Sequence, residues 1–173
     1  MPKSQADRVL KLLLGVLFLG FVFVIRDVFD EKVIAVGDRA PSFNLTTENG
    51  RKISTGDFGG KLLVLNFWAT WCPPCIEEMP SLSDFATQMS KQGVVVLGVS
   101  VDKNESAYKS FLQRNRLAFQ VARDPGADIP AKYGTFKWPE TYVINREGTV
   151  VQKYIGMRDW TDPRILNEIR ASL

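Results

Sequence analysis

Histidine is absent from this chain of 173 residues, and cysteine occurs only twice. Without histidine the chain has no Ser-His-Asp or Cys-His catalytic group and no imidazole ligand for a metal. Two cysteines are too few for a disulfide-stapled scaffold, and one pair supplies half of the ligands of a closed zinc site. The net charge is +3 and no basic cluster stands out beyond the N-terminus, so nothing indicates nucleic-acid binding. We expect neither a metal nor a cofactor.

The two cysteines form one Cys-x-x-Cys motif, Cys72-Pro73-Pro74-Cys75. Three interpretations remain open at this point: a redox dithiol, half of a site shared between two chains, or two inert thiols. The length allows one domain with a real core and a short appendage, and the hydrophobic fraction of 45% is that of an ordinary globular protein.

An unbroken apolar run extends from Leu12 to Ile25 near the N-terminus. With the residues just before it, the run has about the minimum length of a bilayer-crossing helix. Basic residues precede the run and acidic residues follow it, so the N-terminus should stay in the cytoplasm. We predict a cytoplasmic tip and signal-anchor over residues 1–25, a linker over 26–35 and a periplasmic, single-pass-anchored domain over 36–173.

A cleaved signal peptide is the main alternative to this anchor. Val33-Ile34-Ala35 loosely fits the small-residue rule for cleavage, but a charged stretch separates it from the apolar run. An uncleaved anchor is therefore favoured. In either case the domain is exported, and an exported Cys-x-x-Cys is a redox candidate.

The rest of the chain predicts an α/β domain with a mixed sheet. Leu62–Trp68 and Val94–Val101 are apolar runs of strand length without polar alternation, which is typical of strands buried on both faces. A helix predicted from about Pro73 to Ser90 joins them in a βαβ unit, so these strands should be parallel. The other predicted elements include a hairpin around Glu48-Asn49-Gly50, a helix capped by Asn104, a short strand at Phe119–Val121 and a short helix at Ala127–Tyr133. A C-terminal antiparallel hairpin made of Thr141–Ile144 and Val150–Ile155 follows, and then a last helix capped by Thr161.

Cys72 lies directly between a predicted strand and the following helix. Unpaired N–H groups and the helix dipole favour an anion at that position, which lowers a cysteine pKa from its usual value of about 8.5. Cys75 has the helical spacing of a buried stripe with Met79 and Leu82, so it should face inward. We therefore predict that Cys72 is the attacking thiolate and Cys75 the resolving thiol.

A resolving thiol needs a base, and the helix offers two acids. Glu78 is three residues after Cys75 and so lies on a neighbouring face, whereas Glu77 points elsewhere. We favour Glu78. The alternative is that both are solvated acids that complement the helix dipole.

The segment Asn66-Phe67-Trp68-Ala69-Thr70-Trp71, followed by Cys72-Pro73-Pro74-Cys75, closely resembles the thioredoxin-like family, and within it the membrane-anchored TlpA/ResA/CcmG (DsbE) branch. The resemblance extends roughly from Val36 to the C-terminus. It implies a thioredoxin fold, with helices flanking a central mixed sheet and an N-terminal β-hairpin. It also implies a protein that keeps partner disulfides reduced outside the cytoplasm, typically the CxxCH cysteines of apocytochrome c. A membrane reductase of the CcdA/DsbD type would supply the electrons.

The resemblance also implies site residues. The catalytic pair and the acid of this branch fall on Cys72, Cys75 and Glu78, and the family's cis-proline falls on Pro139. We predict a substrate groove at Trp138-Pro139-Glu140, in which Trp138 offers an apolar wall and Glu140 an acidic contact. This chain departs from the family in two places. Asn66 stands where cytoplasmic thioredoxins carry a buried Asp, and Trp138 replaces a smaller residue.

Two alternative functions stay open on the sequence. A general exported disulfide reductase or oxidant would use the same residues, because the sequence does not fix the reduction potential. A non-catalytic module could hold Cu(I) through the two thiols and Met79, although Met79 is better explained as a core residue.

Overall fold

The computed structural model describes Lys3–Phe29 and Val33–Leu173, which belong to two separate compact units. The first is one helix, α1 (Lys3–Phe29). Within it, Asp7–Ile25 has a mean hydropathy of 2.4 and none of it is buried. This stretch is long and apolar enough to cross a membrane, a test that a signal sequence also passes.

The linker predicted over 26–35 is shortened at both ends. Helix α1 continues to Phe29. The side chain of Ile34 is already buried in the core of the second unit, and its backbone N–H donates to the carbonyl oxygen of Tyr133 at 3.0 Å. The folded domain thus starts before residue 36, because the apolar side chain of Ile34 is buried in its core. Residues 30–32 of the predicted linker lie outside the described residues.

The second unit is a five-stranded mixed sheet with helices and a small hairpin packed on it. Its elements are β1 (Asn44–Thr46), β2 (Lys52–Ser54), β3 (Leu62–Trp68), α2 (Pro73–Met89), β4 (Val94–Ser100), α3 (Glu105–Arg114), β5 (Gln120–Arg123), α4 (Asp128–Tyr133), β6 (Glu140–Ile144), β7 (Val150–Ile155) and α5 (Pro163–Ala171). The strand order is β5-β4-β3-β6-β7, parallel from β5 to β3 and antiparallel from β3 to β7. The strands β1 and β2 pair as the N-terminal hairpin. The predicted thioredoxin fold is confirmed.

Strand β3 is the centre of the sheet, and all seven of its residues are buried. Since side chains alternate along a strand, its two faces serve two different packing layers. Leu62 and Val64 pack with apolar side chains of α2 and α5, such as Leu82 and Ile169. The alternate residues of β3, beginning with Leu63, pack instead with the hairpin and α4. Asn66 lies on the same face of β3 as Leu62 and Val64, so its polar side chain points toward α2.

The N-caps follow the predicted pattern at α3 but not at α5. The Asn104 side chain accepts a hydrogen bond from the N–H of Ala107 at 3.0 Å. At α5 the cap is Asp162, whose carboxylate accepts from the N–H of Arg164 at 2.8 Å. The predicted cap, Thr161, is wrong by one residue.

Candidate active site

The two cysteines form a disulfide at the N-terminus of α2, with Cα atoms 5.3 Å apart. Cys72 is the N-cap of that helix, and its Sγ accepts the N–H of Cys75 at 3.3 Å. A sulfur that already accepts a helix N–H is placed where a thiolate is favoured. Cys75 is completely buried, whereas 5% of Cys72 is exposed. Cys72 is thus the more accessible cysteine, although most of its surface is buried.

Glu78 lies in the interior, with 2% of its surface exposed. One carboxylate oxygen accepts from Nδ2 of Asn66 at 2.8 Å. The other accepts from the backbone N–H of Arg158 at 3.1 Å and from Nε1 of Trp160 at 3.4 Å. The carboxylate therefore does not have the solvated position that the helix-dipole alternative requires.

Burial raises the pKa of Glu78 from 4.5 to about 7. The cause is loss of water around the charged form, and the hydrogen bonds from Arg158, Asn66 and Trp160 oppose it only in part. A carboxyl group with this pKa exchanges a proton readily near neutral pH, which is the property that a general acid or base needs.

Asn66 connects this carboxylate to the neighbouring strand. Its Nδ2 donates both to Glu78 and to Oγ1 of Thr141, at 2.8 and 2.9 Å. Among the described residues, its Oδ1 is buried without a hydrogen-bond partner. Thr141 follows Glu140 on β6, so the acid of the helix is tied to the strand that begins directly after Pro139.

The peptide bond between Trp138 and Pro139 is cis, as the family resemblance implied. The carbonyl oxygen of Pro139 accepts the N–H of Gly156 at 2.8 Å, which joins this loop to the one after β7. Trp138 is half-buried and packs against the apolar cluster that contains both cysteines. Trp138 therefore belongs to the same apolar cluster as the dithiol, and its contact with a substrate stays a prediction.

Glu140 is not the acidic surface contact that we predicted. Its side chain is fully buried, and Oε1 lies 2.8 Å from Nζ of Lys153 and accepts from the hydroxyl of Tyr142 at 2.6 Å. The reason is strand alternation, because Glu140 shares a face of β6 with Tyr142 while Thr141 faces α2. Glu140 therefore stabilises the start of β6 through contacts on the face of the sheet opposite to α2.

The sequence indicates no substrate role for Trp71, yet 61% of its surface is exposed directly beside Cys72. A large apolar side chain exposed next to a reactive group is a substrate-contact candidate. Its position after the buried strand was the available signal. Arg158 and Trp160 were also missed, and no local pattern could reveal them because they reach Glu78 from the far end of the chain.

Within the described residues, no group of three or more acidic, cysteine or histidine side chains is placed to hold a metal ion. Met79 is buried in the apolar cluster that contains the dithiol.

Known proteins resemble this chain in sequence and in fold. The AhpC/TSA family matches residues 36–153. The chain is 36% identical over 126 residues to the thiol-disulfide oxidoreductase ResA of Bacillus thuringiensis subsp. konkukian, which is 73% of each chain. It is also 36% identical over 149 residues to the ResA of Bacillus cereus, 86% of each chain. A solved structure assigned as the thiol:disulfide interchange protein DsbE of Chlorobium tepidum has a TM-score of 0.75 and 29% identity, covering 80% of this chain and 98% of that one.

Proposed function

This chain belongs to the AhpC/TSA family of thioredoxin-like proteins and is a thiol–disulfide oxidoreductase, and we propose that it reduces partner disulfides outside the cytoplasm. The observation that carries the proposal is the pairing of the Cys72–Cys75 disulfide at a helix N-terminus with a buried Glu78 whose pKa is about 7. The dithiol supplies two electrons, and the Glu78 carboxylate accepts the proton of the Cys75 thiol.

The first step begins from the reduced pair. The Cys72 thiolate attacks one sulfur of the substrate disulfide, the substrate S–S bond breaks, and a mixed disulfide forms as one substrate thiolate leaves. The N–H of Cys75, which contacts the Cys72 sulfur at 3.3 Å, favours the thiolate from which this attack starts. Cys72 takes this role because it is the cysteine with exposed surface.

The second step needs the buried thiol. Glu78 accepts the proton of Cys75, whose thiolate then attacks the Cys72 sulfur and expels the second substrate sulfur. The products are two substrate thiols and the Cys72–Cys75 disulfide, so the substrate gains the two electrons that the protein loses; the thiolate released in the first step takes its proton from solvent. The proton held by Glu78 is available to the departing substrate thiolate. An external dithiol of the CcdA/DsbD type would restore the reduced pair.

The proposed location follows from α1. Asp7–Ile25 anchors the chain as a single membrane span, with the basic N-terminus in the cytoplasm and the catalytic domain in the periplasm. There the thiols of a partner protein are exposed to oxidation, and a tethered reductase can meet both its substrate and a membrane electron donor.

The proposed protein substrate is apocytochrome c, through its CxxCH cysteines. Trp71 and Trp138 give the surroundings of Cys72 an apolar character suited to a peptide segment. Glu140 no longer supports this assignment, because its carboxylate is buried and paired with Lys153. The assignment therefore depends on the family resemblance and on these two aromatic side chains.

Competition between two oxidised peptides tests the substrate. The reduced chain receives a CxxCH peptide and an unrelated disulfide peptide together, and mass spectrometry follows the loss of each. Trp138→Ala should lower the preference for CxxCH and leave the rate with a small disulfide largely intact. Phe136→Ala is the control, since this exposed aromatic side chain lies on the same loop. Equal rates for both peptides with the unmutated protein would remove the cytochrome assignment and leave a general disulfide reductase.

A further inference from the structure

A buried acid just after β4 makes hydrogen bonds to the turn that precedes Cys72, and it has no part in the steps above. Asp102 follows the end of β4 and is 1% exposed. One of its carboxylate oxygens accepts the N–H of Thr70 at 2.9 Å and the hydroxyl of Ser100 at 2.6 Å. The other accepts the hydroxyl of Thr70 at 2.6 Å. Two of these three hydrogen bonds therefore go to a single residue.

Thr70 lies inside the turn that leads from β3 into α2. The N–H of Cys72 closes this turn on the carbonyl oxygen of Ala69 at 3.2 Å. Thr70 and Trp71 occupy its two central positions. Fixing both the backbone and the side chain of Thr70 fixes the direction in which the turn delivers Trp71 to the surface and Cys72 to the helix N-terminus.

We propose that Asp102 is a positioning residue for the active site: through Thr70 it holds the turn Ala69–Cys72 so that the reduced Cys72 sulfur stays at the N-terminus of α2. In the oxidised protein the bond to Cys75 also restrains this sulfur. In the reduced protein that covalent restraint is gone, and the hydrogen bonds between Asp102 and Thr70 keep the Cys72 sulfur in place. The proposal rests on the proposed role of Cys72 as the attacking thiolate.

A weaker hold on the turn should raise the pKa of Cys72. A thiolate gains from helix N–H groups only while its sulfur stays close to them, since this stabilisation falls off within the first turn. A direct effect of the Asp102 charge has the opposite sign, because a nearby negative charge disfavours a thiolate and its removal would lower the pKa. The sign therefore separates positioning from electrostatics. Glu78 on α2 and Arg123, which donates to the carbonyl oxygen of Asp102 at 3.4 Å, are unchanged in every variant below.

The first test uses Thr70→Val in the full chain, in detergent and fully reduced. Valine keeps the backbone N–H bond and the charge of Asp102 but removes the hydroxyl bond. We expect the pKa of Cys72, read from the pH dependence of iodoacetamide labelling, to rise by about half a pH unit, which slows labelling about threefold at mildly acidic pH. Thr70→Ser restores the hydroxyl and should restore the pKa. Thr87→Val, on the exposed face of α2, is the matched control.

The second test compares Asp102→Ala with Asp102→Asn. Both lack the charge, but asparagine can still bond to Thr70 while alanine cannot, so the pKa of Cys72 should be higher in Asp102→Ala. If Asp102→Ala does not fold, the Thr70 series decides alone. The proposal is overturned if Thr70→Val labels like Thr70→Ser and Thr87→Val, or if the two Asp102 variants have the same pKa. A normal pKa of Cys72 with slow substrate turnover would instead count against the proposed function.

Discussion

Replacing Glu78 by glutamine removes the proposed proton acceptor while keeping the size of the side chain. The Cys75 thiol is fully buried, and burial without a base raises a thiol pKa above its usual value of about 8.5. Without the carboxylate, Cys75 must lose its proton unaided. The mixed disulfide on Cys72 should then persist, because its formation does not need Glu78 but its resolution does.

The structure gives the size of this effect through the pKa of Glu78. The rise from 4.5 to about 7 corresponds to about 3 kcal/mol in favour of proton binding, and the same energy eases proton transfer from the thiol. A positioned general base contributes about a hundredfold or more to a rate. We therefore expect Glu78→Gln to slow resolution about a hundredfold at neutral pH.

The assay is a single turnover of the reduced full chain with a disulfide peptide, stopped by acid at successive times. Mass spectrometry then counts the mixed disulfide and the Cys72–Cys75 product separately. In the unmutated chain, the resolution rate should rise with pH through an inflection near 7, where Glu78 ionises. In Glu78→Gln that inflection should disappear, and the rate should follow the ionisation of Cys75 at higher pH.

Glu77→Gln is the matched control for this experiment. Glu77 is exposed on the same helix, so its loss changes the helix charge equally without touching the interior. Equal slowing in both variants would reduce Glu78 to a helix-dipole residue. An inflection near 7 that survives in Glu78→Gln would refute the reasoning, since another group would then be accepting the proton.

Three further predictions follow from the same geometry. The folded pKa of Glu78 lies above its unfolded value, so its stabilising contribution is complete below about pH 4.5 and lost as the pH rises through about 7. As the pH rises between those limits, the free energy of urea unfolding of oxidised Glu78→Gln should increase by about 3 kcal/mol relative to that of the parent. Unfolding free energies that change with pH in the same way in both proteins would contradict the buried charge. Cys72→Ser should abolish disulfide exchange and Cys75→Ser should trap mixed disulfides, and faster alkylation of Cys75 than of Cys72 at mildly acidic pH would reverse the two roles. The chain should pellet with membranes and resist carbonate extraction through residues 7–25, whereas a soluble form starting near residue 36 would mean that the anchor is cleaved.

The central sheet was predictable because its inner strands are continuous apolar runs of strand length. Leu62–Trp68 and Val150–Ile155 have the predicted bounds, and the parallel pairing of β3 with β4 follows from the helix between them. Boundaries set by a single side chain were less certain. The sequence alone gives no sign that Ile34 belongs to the core, and Thr161 and Asp162 are both residue types favoured at an N-cap.

Side-chain direction limited the prediction of the site more than residue identity did. Glu140 was correctly linked to the cis-proline strand, but its face of the sheet depends on register, and a shift of one residue reverses every side chain. Asp102 and Thr70 carry no motif, and they meet only because β3 and β4 end at the same edge. Contacts made across such distances in sequence have no local signature.

The position of the proposed base, Glu78, explains the amide at Asn66. Cytoplasmic thioredoxins carry an acid where this chain has Asn66, and here the acid is on the helix at Glu78, with the two side chains 2.8 Å apart. Two buried carboxylates at that distance could not both ionise, because each would raise the pKa of the other. An amide in the strand avoids this conflict and donates to the carboxylate, which partly offsets the raised pKa caused by burial. The same amide donates to Thr141, so the proposed proton acceptor of Cys75 is also linked to the strand beside the proposed substrate groove. Asn66 is therefore the complement of Glu78, and the two side chains form one hydrogen-bonded pair that joins β3 to α2.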